Sequence, residues 1–260
     1  MSNTNSYDFI IAGAGIIGLT TAYELKKQFP FASISILEKE NKPGMHASGR
    51  NSGVLHSGIF YAIDSLKAQL CSKGALRMRN FAAEHKIHCE RKGKIIIATS
   101  EDQLPTVELL LQNAKENTIC AERLDEQSAK EIEPNANPYK VGIHSPDTSV
   151  IDSLGVLSKL YDLLIGDGVN IFFNQDVIKV RPAENCLYSQ NNKYNYGRFI
   201  NCAGANADII AHQFGVGREY ALLPFKGTYY KLRDQAKYLI KNSVYPVPDV
   251  SLPFLGIHLT

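Results

Sequence analysis

Apolar residues in this chain follow two rhythms: short unbroken runs of strand length, and longer stretches in which they recur every three or four positions. "YDFIIAGAGIIGLTTAYELKKQF" joins both. Tyr7–Ala12 predicts a strand, the glycines after it a tight turn, and Leu19, Ala22, Tyr23 and Leu25 the apolar side of a helix. "SISILEKE" predicts a second strand over Ser33–Glu38. Two strands flanking one helix at this spacing form a βαβ unit, and so a parallel sheet. After a polar, glycine-rich stretch, "SLKAQLCSKGALRMRNFAAEH" places Leu66, Leu70 and Phe81 at helical spacing behind Ser65, a residue type that caps helix starts.

From about Lys86 the texture changes. "RKGKIIIATS" predicts a strand, "EDQLPTVELLLQNAKEN" a helix, "DEQSAKEIEP" a short helix stopped by Pro134, and "KVGIHSP" an extended segment. Near Ile151 the βα alternation returns. "IDSLGVLSKLYDLLIGDG" predicts a helix capped by Asp152 or Ser153 and closed by glycine. "VNIFFNQDVIKV" predicts one or two strands, and "RFINCAGANADIIAHQF" a strand, glycine turn and helix. Beyond Gly215, "FKGTYYKLRD" alternates as an antiparallel strand would. The expected fold class is α/β: a Rossmann-like domain with a parallel sheet (residues 1–85 and 145–215), interrupted by an α+β domain with an antiparallel sheet (residues 86–144 and 216–260). The last apolar run, "FLGIHLT", has no closing turn, so the second domain reads as incomplete at its C-terminus.

Composition narrows the function classes. The 260 residues suffice for one or two domains, and 44% hydrophobic with 21% charged residues is ordinary for a soluble globular protein. A net charge of +2 offers no basis for nucleic-acid binding. No apolar run reaches the roughly 18–20 residues that span a bilayer. "MSNTNSYDF" lacks the basic-then-apolar order of a signal peptide. The five cysteines, Cys71, Cys89, Cys120, Cys186 and Cys202, are scattered and form no CxxC pair. They read as free thiols in a reducing, cytoplasmic setting, packed as small core residues, with no disulfide framework and no metal site.

The chemistry begins at Gly13-Ala14-Gly15-Ile16-Ile17-Gly18, which fits G-x-G-x-x-G with a strand before it and a helix after it. Gly13 permits the tight turn, Gly15 lets backbone approach a pyrophosphate, and Gly18 lets helix and strand pack closely. The helix N-terminus presents N–H groups to the phosphates. Glu38 ends the second strand, about 20 residues on, where an acid binds ribose hydroxyls, with Lys39 beside it. Directly after comes "HASGRNSGVLHSGIF", residues 46–60, dense in hydroxyl, amide and guanidinium donors among glycines. A nicotinamide-binding domain would continue into its next βα unit; a loop this long and polar suits a flavin and its diphosphate. His46, Ser48, Gly49, Arg50, Asn51 and Ser52 are the cofactor candidates in it, with a solvated surface loop as the bland alternative.

"HASGRNSGVLHSGIFYAIDSLKAQLCSKG" closely resembles the matching segment of the L-2-hydroxyglutarate oxidase/dehydrogenase family, FAD enzymes of the D-amino-acid-oxidase-like superfamily. The resemblance runs from "FIIAGAGIIGLTTAYEL" to "YPVPDVSLPFLGIHLT"; "SGRNSGVLHSGI" and "SLKAQLC" are its most specific parts. It implies that the polar stretch lies along FAD, with the isoalloxazine end near Ser52–His56. It also implies backbone at Val177 against adenine, and a second glycine turn near the pyrophosphate in "NCAGANAD", with Cys202, Ala203 and Gly204. Family members continue well past Thr260, which puts cofactor binding by this chain in question.

The implied reaction oxidises a 2-hydroxy acid, L-2-hydroxyglutarate, to 2-oxoglutarate, with hydride passing to flavin. A base that titrates near neutrality favours histidine. His56 is the first candidate, with a structural hydrogen bond as its alternative role, and His258 the second. A dicarboxylate needs cations: Lys226 or Arg50, although Arg50 equally suits the diphosphate and Lys226 a solvated strand. Tyr229 could donate to a carboxylate or simply pack. His46 could bind flavin or only cap its loop. Competing readings are an amine or amino-acid oxidase of the same superfamily, a non-catalytic remnant, and, more distantly, an NAD dehydrogenase. The electron acceptor is oxygen or a quinone. The resemblance implies peripheral membrane contact, although no amphipathic basic helix is evident for it.

Overall fold

A computed structural model describes residues 5–190, 192–249 and 256–260. Residues 1–4 of the leading segment and 250–255 before and within the last apolar run lie outside the described residues. Along the chain come β1 (Ser6–Ala12), α1 (Ile16–Gln28) and β2 (Ile34–Leu37). There follow β3 (Val54–Leu55), α2 (Leu66–Glu84), β4 (Cys89–Glu90), β5 (Lys94–Ile97), α3 (Leu104–Glu116), β6 (Glu122–Leu124), α4 (Glu126–Ile132), β7 (Gly142–Ser145) and β8 (Ser149–Ile151). Next are α5 (Ser153–Gly166), β9 (Asn170–Phe172), β10 (Val177–Arg181), β11 (Cys186–Ser189), β12 (Asn192–Asn201) and α6 (Ala207–Gln213), and then β13 (Ser243–Pro246).

The chain divides into two compact units, residues 1–51 with 153–228, and residues 52–152 with 229–260. The first holds a six-stranded sheet in the order β10-β11-β12-β1-β2-β9. Its β12, β1, β2 and β9 are parallel, and β10 and β11 extend it as antiparallel strands. Phe9–Ala12 and all of β2 are buried, as expected for central strands of a sheet covered on both faces. Helices α1 and α5 pack against each other, and α6 lies on β10. Ile10, Leu37, Leu187, Tyr194 and Ile210 belong to one core cluster here.

The second unit holds a sheet in the order β13-β5-β7-β6. Strand β13 runs parallel to β5, and the other pairings are antiparallel. Ile96, Val107, Leu110, Ile143 and Tyr245 form its main core, which joins α3 to the sheet. A small antiparallel sheet, β3-β8-β4, completes it. Helix α2 begins as its sequence predicts: the Ser65 hydroxyl accepts a hydrogen bond from the Ala68 N–H at 3.1 Å.

Two expectations differ from the structure. The compact units change over at 51/52, 152/153 and 228/229, where the sequence suggested 85/86, 144/145 and 215/216. The cause is the pairing of Val54 with Val150, which no local pattern reveals. "FKGTYYKLRD" forms no strand; residues 218–235 are exposed throughout. Alternation yields a strand only where a neighbour completes its hydrogen bonds, and no strand lies beside this segment among the described residues.

Glu133, fully buried, ties the chain ahead of β13 to the end of α4. Its Oε2 accepts from the Lys241 and Asn242 N–H groups at 2.7 and 2.8 Å. Glu133→Ala leaves both donors without that partner and is expected to destabilise the protein by about 1–3 kcal/mol, read as a lower urea midpoint.

Candidate functional site

In the first unit the β1–α1 turn is shaped by backbone. Gly13 has φ +101°, and a Cβ there would run into the Cys202 carbonyl oxygen. A Cβ at Gly18 would run into the Gly13 carbonyl oxygen. Gly15 differs: the nearest atom to a Cβ there is Ser48 Oγ at 3.1 Å, so its open side faces the polar coil. Gly15 is also the helix N-cap and supplies no capping side chain, and the first turn of α1 carries no acid. Its N–H groups and dipole therefore favour an anion. One of them, on Ile16, donates to Ser48 Oγ at 2.9 Å.

Glu38 is buried at the end of β2. Its Oε2 accepts from the Ala14 N–H at 2.7 Å and its Oε1 from the Glu40 N–H at 2.9 Å. A carboxylate accepts about four hydrogen bonds, so lone pairs remain for ribose hydroxyls. The Cys202 N–H donates to the Ala12 carbonyl at 2.9 Å, which sets the second glycine turn directly beside the first. Within it Gly204 has φ +58°, and nothing stands within 4 Å of where a Cβ would be. These residues leave a cradle of backbone and small side chains, with donors and one acid at its edge, and that composition fits a dinucleotide.

His46 Nε2 lies 2.8 Å from Glu40 Oε1, which holds the loop. Asn51 Nδ2 donates to the Ala47 and Ser48 carbonyls and so closes the short turn at residues 47–49. A Cβ at Gly49 would run into the Gly44 carbonyl oxygen, so this glycine serves close packing. Arg50 is exposed, the Ile17 side chain faces solvent, and Lys39 is half-buried. Val177 opens β10 at the edge of the sheet. Ala203 precedes Gly204 and donates its N–H to Asn201 Oδ1 at 3.3 Å. Lys226 lies in the exposed segment without secondary structure rather than on a strand.

The second unit carries Ser52, half-buried ahead of β3, and the histidines. The His56 ring is 6.2 Å from that of Tyr245, edge-on, and His258 stacks on the same tyrosine at 4.5 Å and 15°. His258 Nδ1 donates to the Gly256 carbonyl at 3.0 Å. His56 Nδ1 is buried and has no partner among the described residues. Burial, then the charges of Lys94 and His258, push the His56 pKa down to about 4. This lies below the near-neutral value expected for a base and keeps the imidazole unprotonated at physiological pH. The Cys71 thiol donates to the His56 carbonyl at 3.4 Å, and Ser57 Oγ lies 2.9 Å from Ser145 Oγ.

Sequence reasoning missed Lys94. It heads β5 and is fully buried, its Nζ 4.2 Å from the Phe60 ring centroid and 5.2 Å from that of Tyr245. Burial lowers its pKa to about 7 and raises that of Tyr245 to about 12. The available signal was period two in "KIII", which sets Lys94 on the same face as Ile96.

The family model described as FAD dependent oxidoreductase matches residues 8–260. L-2-hydroxyglutarate dehydrogenase of Escherichia coli K12 is 33% identical over 257 residues, which cover 98% of this chain and 61% of that protein. The mitochondrial L-2-hydroxyglutarate dehydrogenase of Nematostella vectensis is 36% identical over 271 residues, covering 98% and 59%. The chain thus spans about three fifths of the length of these curated relatives. Among solved structures, glycine oxidase from Geobacillus kaustophilus superposes with a TM-score of 0.79 at 19% identity, covering 94% of this chain and 66% of that one. L-α-glycerophosphate oxidase from Mycoplasma pneumoniae, solved with FAD bound, does so with a TM-score of 0.76 at 21% identity, covering the same shares. These two likenesses concern the fold.

Proposed function

Because this chain belongs to the family of FAD dependent oxidoreductases, we propose that it binds FAD and oxidises L-2-hydroxyglutarate to 2-oxoglutarate. The observation that carries the cofactor assignment is the Gly13–Gly18 turn, closed on one side by Cys202 and on another by the Glu38 carboxylate. The substrate assignment rests on the relatives that bear that name. In this reading the α1 N-terminus and the Gly15 backbone hold the diphosphate, and Ser48 yields the Ile16 N–H to it. Glu38 accepts from ribose hydroxyls.

When bound, FAD would supply the acceptor for a hydride from C2 of the substrate. His56 Nδ1, buried, unpartnered and neutral, takes the hydroxyl proton. The two electrons depart with the hydride, the proton goes to imidazole, and the C2–O bond becomes a carbonyl. His258 stacks on Tyr245 and so helps to hold that ring. The final electron acceptor would be oxygen or a quinone. Among the described residues no helix is long and apolar enough to cross a membrane, and the expected peripheral membrane contact remains part of the proposal.

The test is an anaerobic titration of the FAD-loaded protein. L-2-hydroxyglutarate is expected to bleach the flavin absorbance, and glycine and L-proline to leave it oxidised. Bleaching by the amines alone would replace the reading with an amine oxidase. A protein that takes up no FAD would be the non-catalytic form.

A further inference from the structure

Lys94 is buried completely, yet its Nζ has no hydrogen-bond partner among the described residues. An ammonium removed from water without an anion costs several kcal/mol, so such a group needs a reason to be there. Among the described residues, its neighbours include the Phe60 and Tyr245 rings and the strand partners Ser243 and Ser145. Register pairing sets Ser243 on one side of Lys94 and Ser145 on the other, so the three side chains share one face of the sheet. Ser243 Oγ is buried and also unpartnered, as is His56 Nδ1, while Ser145 is engaged by Ser57. Among the described residues, the titratable groups that bear on Lys94 include His56, Cys71 and Tyr245, none of which is an anion at neutral pH.

We infer that Lys94 is the seat of a substrate carboxylate, with Ser243 as a second donor and His56 at its rim. The inference rests on the 2-hydroxy-acid reading and gives the acid's anionic end a place that Lys226, exposed on an unstructured segment, does not provide. His56 is only half-buried, and the four-carbon lysine stem lets Nζ move toward it. A bound carboxylate would compensate the buried charge. Burial is the main cause of the low His56 pKa, with the Lys94 charge second, so a carboxylate on Lys94 would offset only that second contribution.

The test uses glutarate, a dicarboxylate with no hydroxyl to oxidise, titrated calorimetrically into the FAD-loaded protein. Binding at pH 8 in two buffers of different ionisation enthalpy is expected to show uptake of about one proton, because the anion protonates Lys94. Cys71 and Tyr245 already hold their protons there, since burial raises both pKa values. Lys94→Met is expected to weaken glutarate about 10- to 100-fold and abolish the proton uptake. The same variant, without ligand, should melt no lower than the parent, because an uncompensated buried amine has been replaced by an apolar chain of similar length. A merely structural lysine would give the opposite pair: normal glutarate binding and a lower melting temperature. That result, or no proton uptake by the parent protein, overturns the inference; the parent measurement decides alone if the variant fails to fold. If Lys94→Met loses glutarate but L-2-hydroxyglutarate never bleaches the parent flavin, the carboxylate seat stands and the hydroxy-acid reading falls. Bleaching together with unchanged glutarate binding does the reverse.

Discussion

His56→Asn is expected to lower turnover in the proposed oxidation of L-2-hydroxyglutarate by about 10²- to 10⁴-fold and to leave the flavin absorbance spectrum unchanged, the largest effect expected of any single side chain. General-base transfer contributes on that scale. Asparagine keeps a polar group of similar reach but cannot take a proton near neutral pH. The pH profile supplies the sign. A base must be unprotonated to act, and His56 in the free protein gains its proton only near pH 4. The acid limb of kcat/KM is therefore expected close to pH 4 rather than at the ordinary histidine value of 6.5. A limb at 6.5, or full turnover in the variant, would remove His56 as the base.

Gly13→Ala is expected to abolish FAD binding and to destabilise the first unit. Two costs add. The residue holds φ +101°, outside the common left-handed basin, and a side chain in left-handed backbone costs roughly 1–2 kcal/mol. The new methyl also meets the Cys202 carbonyl oxygen, backbone that cannot rotate away, and overpacking of this kind costs about 1–3 kcal/mol. The relief open to the chain is to part the two glycine turns, which breaks the 2.9 Å bond from the Cys202 N–H to the Ala12 carbonyl. Those turns form the proposed diphosphate cradle, so affinity and stability fall together. The measurements are a fluorescence titration with FAD and a thermal melt. Unchanged FAD affinity in a variant that melts several degrees lower would separate the turn's structural role from the cofactor.

Glu133→Ala and Lys94→Met make a useful contrast. Both remove a buried charged side chain from the second unit. Glu133 has its backbone donors, so its loss is felt in stability. Lys94 has no such partner, and as the proposed carboxylate seat its loss is expected to show in ligand binding.

Local pattern was enough for the start of the chain. A strand at Ser6–Ala12, a helix from Ile16 and the Ser65 cap all follow from residues within a few positions of one another. The glycine spacing, read with Glu38, points to a dinucleotide because Gly13 and Gly18 each answer a steric demand of that turn and Gly15 leaves its backbone open. The alternation in "FKGTYYKLRD" misled, since a strand is a property of two segments and alternation describes one.

The sequence by itself thus determined the βαβ opening, its glycine turn and the main helices, because propensity, periodicity and capping act over a few residues. Only the tertiary structure decided that Val54 pairs with Val150 and that Ser243 aligns with Lys94. It alone also put Lys94 under the Tyr245 ring. Those contacts join residues roughly a hundred to a hundred and fifty positions apart. Their register is chosen by hydrogen bonding and burial summed over the whole unit, and burial, not residue type, is what turns an ordinary lysine and histidine into groups with shifted protonation.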